Sequence, residues 1–228
     1  MTEDRSVPAL AVLSVTGVAK SFARGWPWRR RVNHVLRDVS FTLERGTMVG
    51  LAGENGSGKS VLLRIIVGSL RPGAGRVEIA GKLGYCPQAP MLYEKLTCDE
   101  TFELFGQVYR LTTDLATERA RGLYELLAFE RFRHELVENL SGGTRQKLSL
   151  ALALLHDPDV LLLDEPYSGF DWETYQRFWR IAEDLRDRGR TIVVVSHFLQ
   201  EREHFDRILD LRDGQVAEGP PVAPRVVT

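Results

Sequence analysis

The residues with the clearest chemistry form a glycine-rich run between an apolar, strand-like segment and a helix-like segment. The run follows Met48 to Ala52 and consists of Gly53, Glu54, Asn55, Gly56, Ser57, Gly58, Lys59, Ser60 and Val61. Glycines let the backbone curve so that its N–H groups and the next helix N-terminus face an anion. In such loops the lysine reaches the β- and γ-phosphates and the next hydroxyl holds Mg²⁺. The run therefore predicts a nucleoside triphosphate site with Lys59 and Ser60 in these roles.

Two adjacent carboxylates form the second candidate. Asp164 and Glu165 follow the apolar run Val160 to Leu163, at the end of a predicted strand where α/β proteins bind ligands. Taken alone, such a pair more often starts a helix. Behind a phosphate loop, we expect Asp164 to hold Mg²⁺ and Glu165 to polarise the attacking water.

A third motif, Ser141, Gly142 and Gly143, precedes a predicted amphipathic helix. A helix N-terminus of this kind is a second anion site. A single polypeptide has no geometric way to place it on its own phosphate loop. The motif therefore predicts that two copies of the chain share each nucleotide.

Leu140 to Thr144 resembles the signature motif of ATP-binding-cassette (ABC) proteins, and the resemblance extends from about Leu13 to Glu218. The closest type is the ATP-binding protein of two-component exporters. The resemblance makes Gln88 the glutamine of a hinge loop, Asp171 part of the D-loop and His197 the switch histidine. It also makes Phe22 the aromatic residue, between the first two strands, that stacks on adenine.

The resemblance implies a complete catalytic set and its cofactors. Glu165, His197, Lys59 and Gln88 act in catalysis, and Ser60, Gln88 and Asp164 surround Mg²⁺. A lone histidine at a strand end is usually structural, so the role of His197 depends on this context. No Asn-Lys-x-Asp segment for reading guanine occurs, which favours ATP over GTP.

The expected fold class is α/β, a P-loop NTPase with a RecA-like core, a β-rich N-terminal subdomain and an inserted α-helical subdomain. We predict one nucleotide-binding domain over residues 1–228, with a core at about 9–87 and 157–218, a helical subdomain at about 88–156 and a loose tail at 219–228. The predicted strands are Val12 to Val18, Met48 to Ala52, Val77 to Ala80, Leu83 to Cys86, Val160 to Leu163, Ile192 to Val195 and Ile208 to Leu211.

The overall composition restricts the kinds of partner and compartment that we expect for the chain. The 30 basic and 31 acidic side chains nearly cancel, which disfavours a nucleic-acid binder. Two cysteines without metal-ligand spacing suit a reducing compartment. No run approaches the ~20 apolar residues of a bilayer span, and the first ten residues lack the order of a secretory signal. We expect a cytoplasmic protein held peripherally at the membrane.

In the family, two such subunits pack head to tail and the helical lobe contacts a membrane permease. The segment Leu96 to Thr101 with Phe105 to Tyr109 resembles exporters of the drug or antibiotic efflux type, so we expect export powered by ATP hydrolysis. An importer subunit is the alternative. A soluble ATPase that acts on DNA or ribosomes is a further alternative, but such proteins carry paired cassettes or long coiled-coil insertions, which this sequence does not show. A P-loop kinase is another alternative, but it leaves the Ser-Gly-Gly motif unexplained.

Three features depart from the family pattern or extend it. The family usually has Gln at the position of Thr144 and Leu at the position of Phe170. The segment Gly25 to Arg31 places two tryptophans beside three arginines. This composition suits lipid headgroups or an acidic partner surface, although packing on its own subunit is the more common outcome.

Overall fold

The computed structural model describes residues 11–24, 31–195 and 199–219. Trp26, Trp28, Arg29 and Arg30 of the basic segment therefore lie outside the described residues. The strands are β1 Ala11–Arg24, β2 Arg31–Glu44, β3 Met48–Ala52, β4 Ala74–Ile79, β5 Leu83–Cys86, β6 Val160–Asp164, β7 Thr191–Val195, β8 Arg207–Arg212 and β9 Gln215–Glu218. The helices are α1 Lys59–Ile66, α2 Cys98–Val108, α3 Thr113–Leu127, α4 Gly142–Leu154 and α5 Trp172–Asp187, with short 3-10 helices at Glu130–Phe132, Val137–Asn139 and Leu199–His204.

A six-stranded sheet of order β5-β6-β7-β3-β8-β9 forms the centre of the fold. Every neighbouring pair is parallel except β8 with β9. All residues of β6 and β7 are buried, as their uninterrupted apolar sequences predict for strands covered on both faces. Along β6, Leu161 and Leu163 face one hydrophobic cluster, while Val160 and Leu162 face the other. The carboxyl ends of β3, β6 and β7 consequently meet at one edge.

An antiparallel sheet of order β2-β1-β4 lies beside the central sheet. Its longest strand pair, β1 with β2, has several register shifts, and strand β2 was not predicted. Its inward-facing residues, Leu36, Val39 and Leu43, are not regularly spaced, because the register shifts break the period of two. Strand β1 also runs beyond the predicted end at Val18.

Strand β9 was missed as well. Asp213 and Gly214 join it to β8, and both have positive φ, 48° and 76°. An Asp-Gly pair between two short runs is a strong hairpin signal, so the sequence did carry the information.

Helices α2, α3 and α4 interrupt the strand order between β5 and β6, in the region where helical periodicity was predicted. Helix α2 begins with a capping box: the hydroxyl of Thr97 accepts from the Glu100 N–H, and the Glu100 carboxylate accepts from the Thr97 N–H. Phe102 and Tyr124 pack edge to face between α2 and α3, with ring centroids 5.0 Å apart. Within the described residues, no helix has the length and hydropathy needed to cross a bilayer.

Candidate functional site

The phosphate loop links β3 to α1 and requires glycine at two points. Gly53 has φ 145°, and a Cβ there would lie 2.4 Å from the carbonyl oxygen of Leu211. Gly58 has φ 108° and forms the N-cap of α1 in a left-handed conformation. No side chain of the described residues caps this helix, and its first turn has no acidic residue. Its N-terminal N–H groups are therefore available to an anion.

Lys59 lies at the start of α1 and is only 7% exposed. Its Nζ donates to the carbonyl oxygens of Gly53 at 2.7 Å and Glu54 at 3.0 Å, so the side chain folds back over the loop. Burial lowers the pKa of Lys59, while the carboxylates of Glu165, Asp164 and Asp210 oppose that change. A buried ammonium group among these carbonyls and carboxylates is well placed to exchange partners for phosphate oxygens.

The two carboxylates lie where β6 ends. Asp164 is the last residue of the strand and is 5% exposed. Glu165 then turns the chain with φ 49°, a left-handed conformation that is uncommon outside glycine and concentrates at functional sites. Gln88, just after β5, donates from Nε2 to Glu165 Oε2 at 3.0 Å. The glutamine is thus bonded to the carboxylate predicted to activate water.

These elements enclose a cavity of about 340 Å³. Nine residues predicted to bind nucleotide or metal, or to act in catalysis, line it: Asn55, Gly56, Gly58, Lys59, Ser60, Val61, Gln88, Asp164 and Glu165. Val35 of β2 and Val195 of β7 line it too and were not predicted. Val195 was predictable, because it ends the predicted strand two residues before His197, but Val35 lies in a strand that was not predicted.

The chemistry of the cavity fits Mg·ATP. Ser57 Oγ, in the same loop but not in the cavity lining, is buried and has no hydrogen-bond partner among the residues that the structure describes. The hydroxyl of Ser60, the carboxylate of Asp164 and the amide oxygen of Gln88 are the oxygen ligands that Mg²⁺ prefers.

The Ser141–Gly143 motif lies at the start of α4, outside this cavity. Ser141 Oγ accepts from the Thr144 N–H at 3.3 Å and shares a hydrogen bond with Thr144 Oγ1 at 3.0 Å. Thr144 is buried, so it takes part in this cap and does not lie at an exposed edge. Ser141 and Gly142 are exposed, and nothing lies within 4 Å of a Cβ built at Gly142. The helix N-terminus is therefore open to a second molecule.

Gly143 packs directly on the D-loop. A Cβ built at Gly143 would lie 2.5 Å from the carbonyl oxygen of Gly169. Asp171, two residues later, is the N-cap of α5, and its Oδ1 accepts from the Thr174 N–H at 2.8 Å. This hydrogen bond, before all other causes, lowers the pKa of Asp171.

Phe22 and His197 were predicted to contact the adenine and the γ-phosphate. Phe22 was expected between the first two strands; it lies within β1, opposite Asn33, is 42% exposed, and has Lys20 Nζ 5.5 Å from its ring centroid. His197 lies outside the described residues, although β7, which precedes it, ends at the cavity through Val195. Their contacts with adenine and γ-phosphate stay predictions.

A glycine loop at the end of a buried parallel strand, with a lysine, a hydroxyl and two carboxylates around one cavity, defines a P-loop nucleotide-binding protein. The ABC transporter family model matches residues 36–168, and the chain belongs to this family.

Curated relatives agree with this assignment. Over 203 residues the chain is 34% identical to the Nod factor export ATP-binding protein I of Burkholderia lata, covering 83% of this chain and 67% of the relative. It is 35% identical over 196 residues to ABC transporter G family member 20 of Dictyostelium discoideum, covering 81% of this chain but 27% of the relative. The chain therefore spans about a quarter of the G family protein and about two thirds of the export protein.

Solved structures show the same fold. A dimeric bacterial ABC transporter cassette matches with a TM-score of 0.85 at 27% identity, covering 93% of this chain and 100% of that chain. A dimeric cassette in a post-hydrolysis state, bound to ADP and Pi, matches with a TM-score of 0.84 at 27% identity and the same coverage. These likenesses confirm the predicted family, the P-loop fold class and the ABC-type ATPase.

Proposed function

We propose that this chain binds and hydrolyses Mg·ATP and thereby powers export through a separately encoded membrane permease. The observation that supports the chemistry best is the single cavity that gathers Lys59, Ser60, Asp164 and Glu165, with Gln88 hydrogen-bonded to Glu165. A phosphate site and a candidate general base thus face one another.

In the proposed reaction, the α1 N-terminus and Lys59 hold the β- and γ-phosphates. Ser60, Gln88 and Asp164 would hold Mg²⁺, which would neutralise the charge that develops on the phosphates. Glu165 accepts a hydrogen bond from water and polarises it for in-line attack on the γ-phosphate. Gln88 orients the Glu165 carboxylate and hinges the core to the helical subdomain.

The active form is proposed to be a head-to-tail homodimer. Ser141, Gly142 and Gly143 lie outside the chain's own cavity, and Ser141 and Gly142 are exposed. Two matched structures, both of one ABC cassette, are described as dimeric. In such a dimer the α4 N-terminus of one copy covers the γ-phosphate bound by the other.

The permease is proposed to bind the helical subdomain at about 88–156 and to hold the chain at the cytoplasmic face of the membrane. Met91 and Tyr93, which follow the hinge glutamine, are 82% and 60% exposed. An apolar surface of this kind favours a protein partner. The export name of the Burkholderia lata relative supports the direction. Drug or antibiotic efflux stays a prediction, since substrate contacts would lie in the permease.

Glu165→Gln tests the hydrolytic role. The amide keeps the shape of the side chain but cannot polarise water, so phosphate release should fall at least ~100-fold while ATP affinity stays within ~3-fold. The measurements are steady-state phosphate release and equilibrium ATP binding, with gel filtration in Mg·ATP to detect a trapped dimer. Glu118→Gln, an exposed site on α3, is the matched control. Parent-like phosphate release by Glu165→Gln would disprove the assignment.

Met91→Asp tests the permease surface. In cells that co-express the chain with a permease encoded beside it, the membrane-bound fraction should fall about tenfold, because a charge replaces an apolar contact. Val32→Asp, on the exposed part of β2, is the matched control and should stay membrane-bound. If the parent chain fractionates with ribosomes or DNA and never with membranes, the transporter role is wrong while the ATPase role can still hold.

A further inference from the structure

A buried histidine lies between helix α4 and strand β6, outside the lining of the nucleotide cavity. His156 is the second residue after α4 ends at Leu154, and it is only 6% exposed. None of the roles proposed above uses it. Its ring contacts strand β5 on one side and the end of helix α2 on the other, so it lies where the helices α2–α4 meet the central sheet.

The ring of His156 makes one hydrogen bond and one stacking contact. Its Nε2 lies 3.0 Å from the carbonyl oxygen of Leu83, the first residue of β5. A carbonyl oxygen can only accept, so Nε2 carries the proton of this hydrogen bond. The ring is also stacked on Tyr109, the C-cap residue of α2, with ring centroids 4.0 Å apart and planes 25° apart. The histidine thus joins α2 to β5.

The other nitrogen of this ring is isolated. Nδ1 of His156 is buried and makes no hydrogen bond within the described residues. In the neutral ring this atom carries only a lone pair, whereas a second proton would create a buried, charged N–H group with no acceptor. The site therefore accommodates the neutral ring much better than the charged ring.

Two cations lie beside the ring. Lys82 Nζ donates to the carbonyl oxygen of His156 at 3.2 Å. Arg119 Nη1, from α3, donates to the carbonyl oxygen of Leu155 at 3.0 Å. The last carbonyl groups of a helix usually favour a positive histidine, but here these two cations already satisfy the carbonyls that follow α4. A third positive charge would meet repulsion from both.

Asp157 is the carboxylate that follows the histidine in sequence. Both of its oxygens accept from Arg190 Nη2, at 2.7 Å, so its charge is largely engaged elsewhere. Burial first, and then Lys82 and Arg119, lower the pKa of His156. The hydrogen bond to the β5 carbonyl group and the Asp157 carboxylate oppose that change.

We propose that His156 is an acid-sensitive latch, which holds α2 against β5 while its ring is neutral and releases this contact when Nδ1 takes a proton from solvent. A charged Nδ1–H needs water, which reaches it when the ring leaves the stack on Tyr109. Since α4 begins at the Ser141 motif and β5 leads to Gln88, the latch fixes the far end of α4 relative to the strand before Gln88.

The sign of the pH dependence follows from the lowered pKa. In the unfolded chain a histidine titrates near its ordinary pKa of about 6.5. The stability that the latch contributes is therefore complete above about pH 6.5, and it is lost as the pH falls from there towards the lower pKa of the folded chain.

The first measurement follows the ring itself. Histidine ring resonances of the full chain are titrated by nuclear magnetic resonance without nucleotide, so the result does not depend on the proposed function. The resonance that is missing from His156→Gln identifies His156. We expect its midpoint below about pH 6.5. Cross-peaks between the rings of His156 and Tyr109, whose centroids are 4.0 Å apart, should disappear as the histidine becomes charged.

The second measurement separates titration from packing. His156→Gln keeps an amide donor for the Leu83 carbonyl oxygen, and His156→Phe keeps the stack on Tyr109, but neither side chain titrates. Both variants should be less stable at neutral pH, so the quantity compared is the change in the unfolding equilibrium constant from about pH 7.5 to about pH 5.5. Chemical denaturation should show a several-fold larger increase for the parent, within the limit of about tenfold per pH unit for one proton.

His134→Gln is the matched control, because this histidine side chain is 80% exposed and lies beside Asp99, away from the latch. It should follow the parent, while both His156 variants lose the extra pH dependence. A midpoint of His156 at or above about pH 6.5, or cross-peaks that persist in the charged form, would overturn the proposal. The same pH dependence in the parent and both His156 variants would overturn it too.

Discussion

The starts of α1 and α4 are both glycine-rich helix N-termini, but the glycines precede α1 and form the first turn of α4. At α1 the cap is a left-handed glycine, and no side chain of the described residues satisfies the first N–H groups. At α4 the Ser141 hydroxyl caps the helix and accepts from the Thr144 N–H. The first lies in a cavity with a buried lysine and carboxylates; the second is exposed.

The difference teaches that a glycine-rich helix start is only half of an anion site. The α1 start is complete within one chain because β3, β5 and β6 bring Lys59, Gln88 and Asp164 to the same edge. The α4 start lies outside that cavity, so in the proposed dimer the remaining groups come from a second copy. Two predictions test this contrast.

Ser141→Arg should have the larger effect. A long cation at an exposed helix start would block the approach of the other copy's phosphates, so phosphate release should fall ~100-fold, the scale of losing a transition-state donor. ATP binding to the isolated chain should be unchanged, because Ser141 lies outside its own cavity. Phosphate release and nucleotide affinity are measured side by side.

Ser141→Ala is the control, since it removes the same cap without bulk or charge, at about 1 kcal/mol of the free energy of unfolding. Its turnover should fall much less than that of Ser141→Arg, because the backbone N–H groups of the α4 start are kept. Equal losses in the two variants would assign the effect to the cap, and parent-like turnover of Ser141→Arg would reject the shared site.

A glycine pair tests the contrast on stability alone. Gly53→Ala places a Cβ 2.4 Å from the Leu211 carbonyl oxygen at φ 145°, and should lower the free energy of unfolding by about 2 to 3 kcal/mol. Gly142→Ala meets open space in a helical residue and should change it by less than about 0.5 kcal/mol. Chemical denaturation without nucleotide measures both. Similar values would show that the phosphate loop is no more constrained than the α4 start.

Much of the fold could be predicted because its signals are local. The buried strands Met48–Ala52 and Leu83–Cys86 match their predicted bounds, since short apolar runs between turn residues are typical of buried strands. Strand β2 could not be predicted, because its register shifts against β1 break the alternation on which strand prediction depends.

The residues of the site also fall into those that the sequence predicts and those that it does not. Lys59, Ser60, Asp164 and Glu165 are predictable from the segments that carry them, and the structure brings them together. Val35 is not, because it reaches the cavity only through the packing of β2 against the loop.

The close approach of Gly143 and Gly169 links events at the two nucleotide sites of the proposed dimer. Because a single methyl group would separate them, the α4 start and the D-loop form one mechanical unit. In the proposed dimer, the α4 start reports on the partner's nucleotide, while the D-loop continues from the chain's own Glu165. Binding or release of a phosphate at one site therefore changes the geometry of the other site. Because the two nucleotide sites of such a dimer are coupled, the rate of phosphate release should rise with ATP concentration along a sigmoid curve.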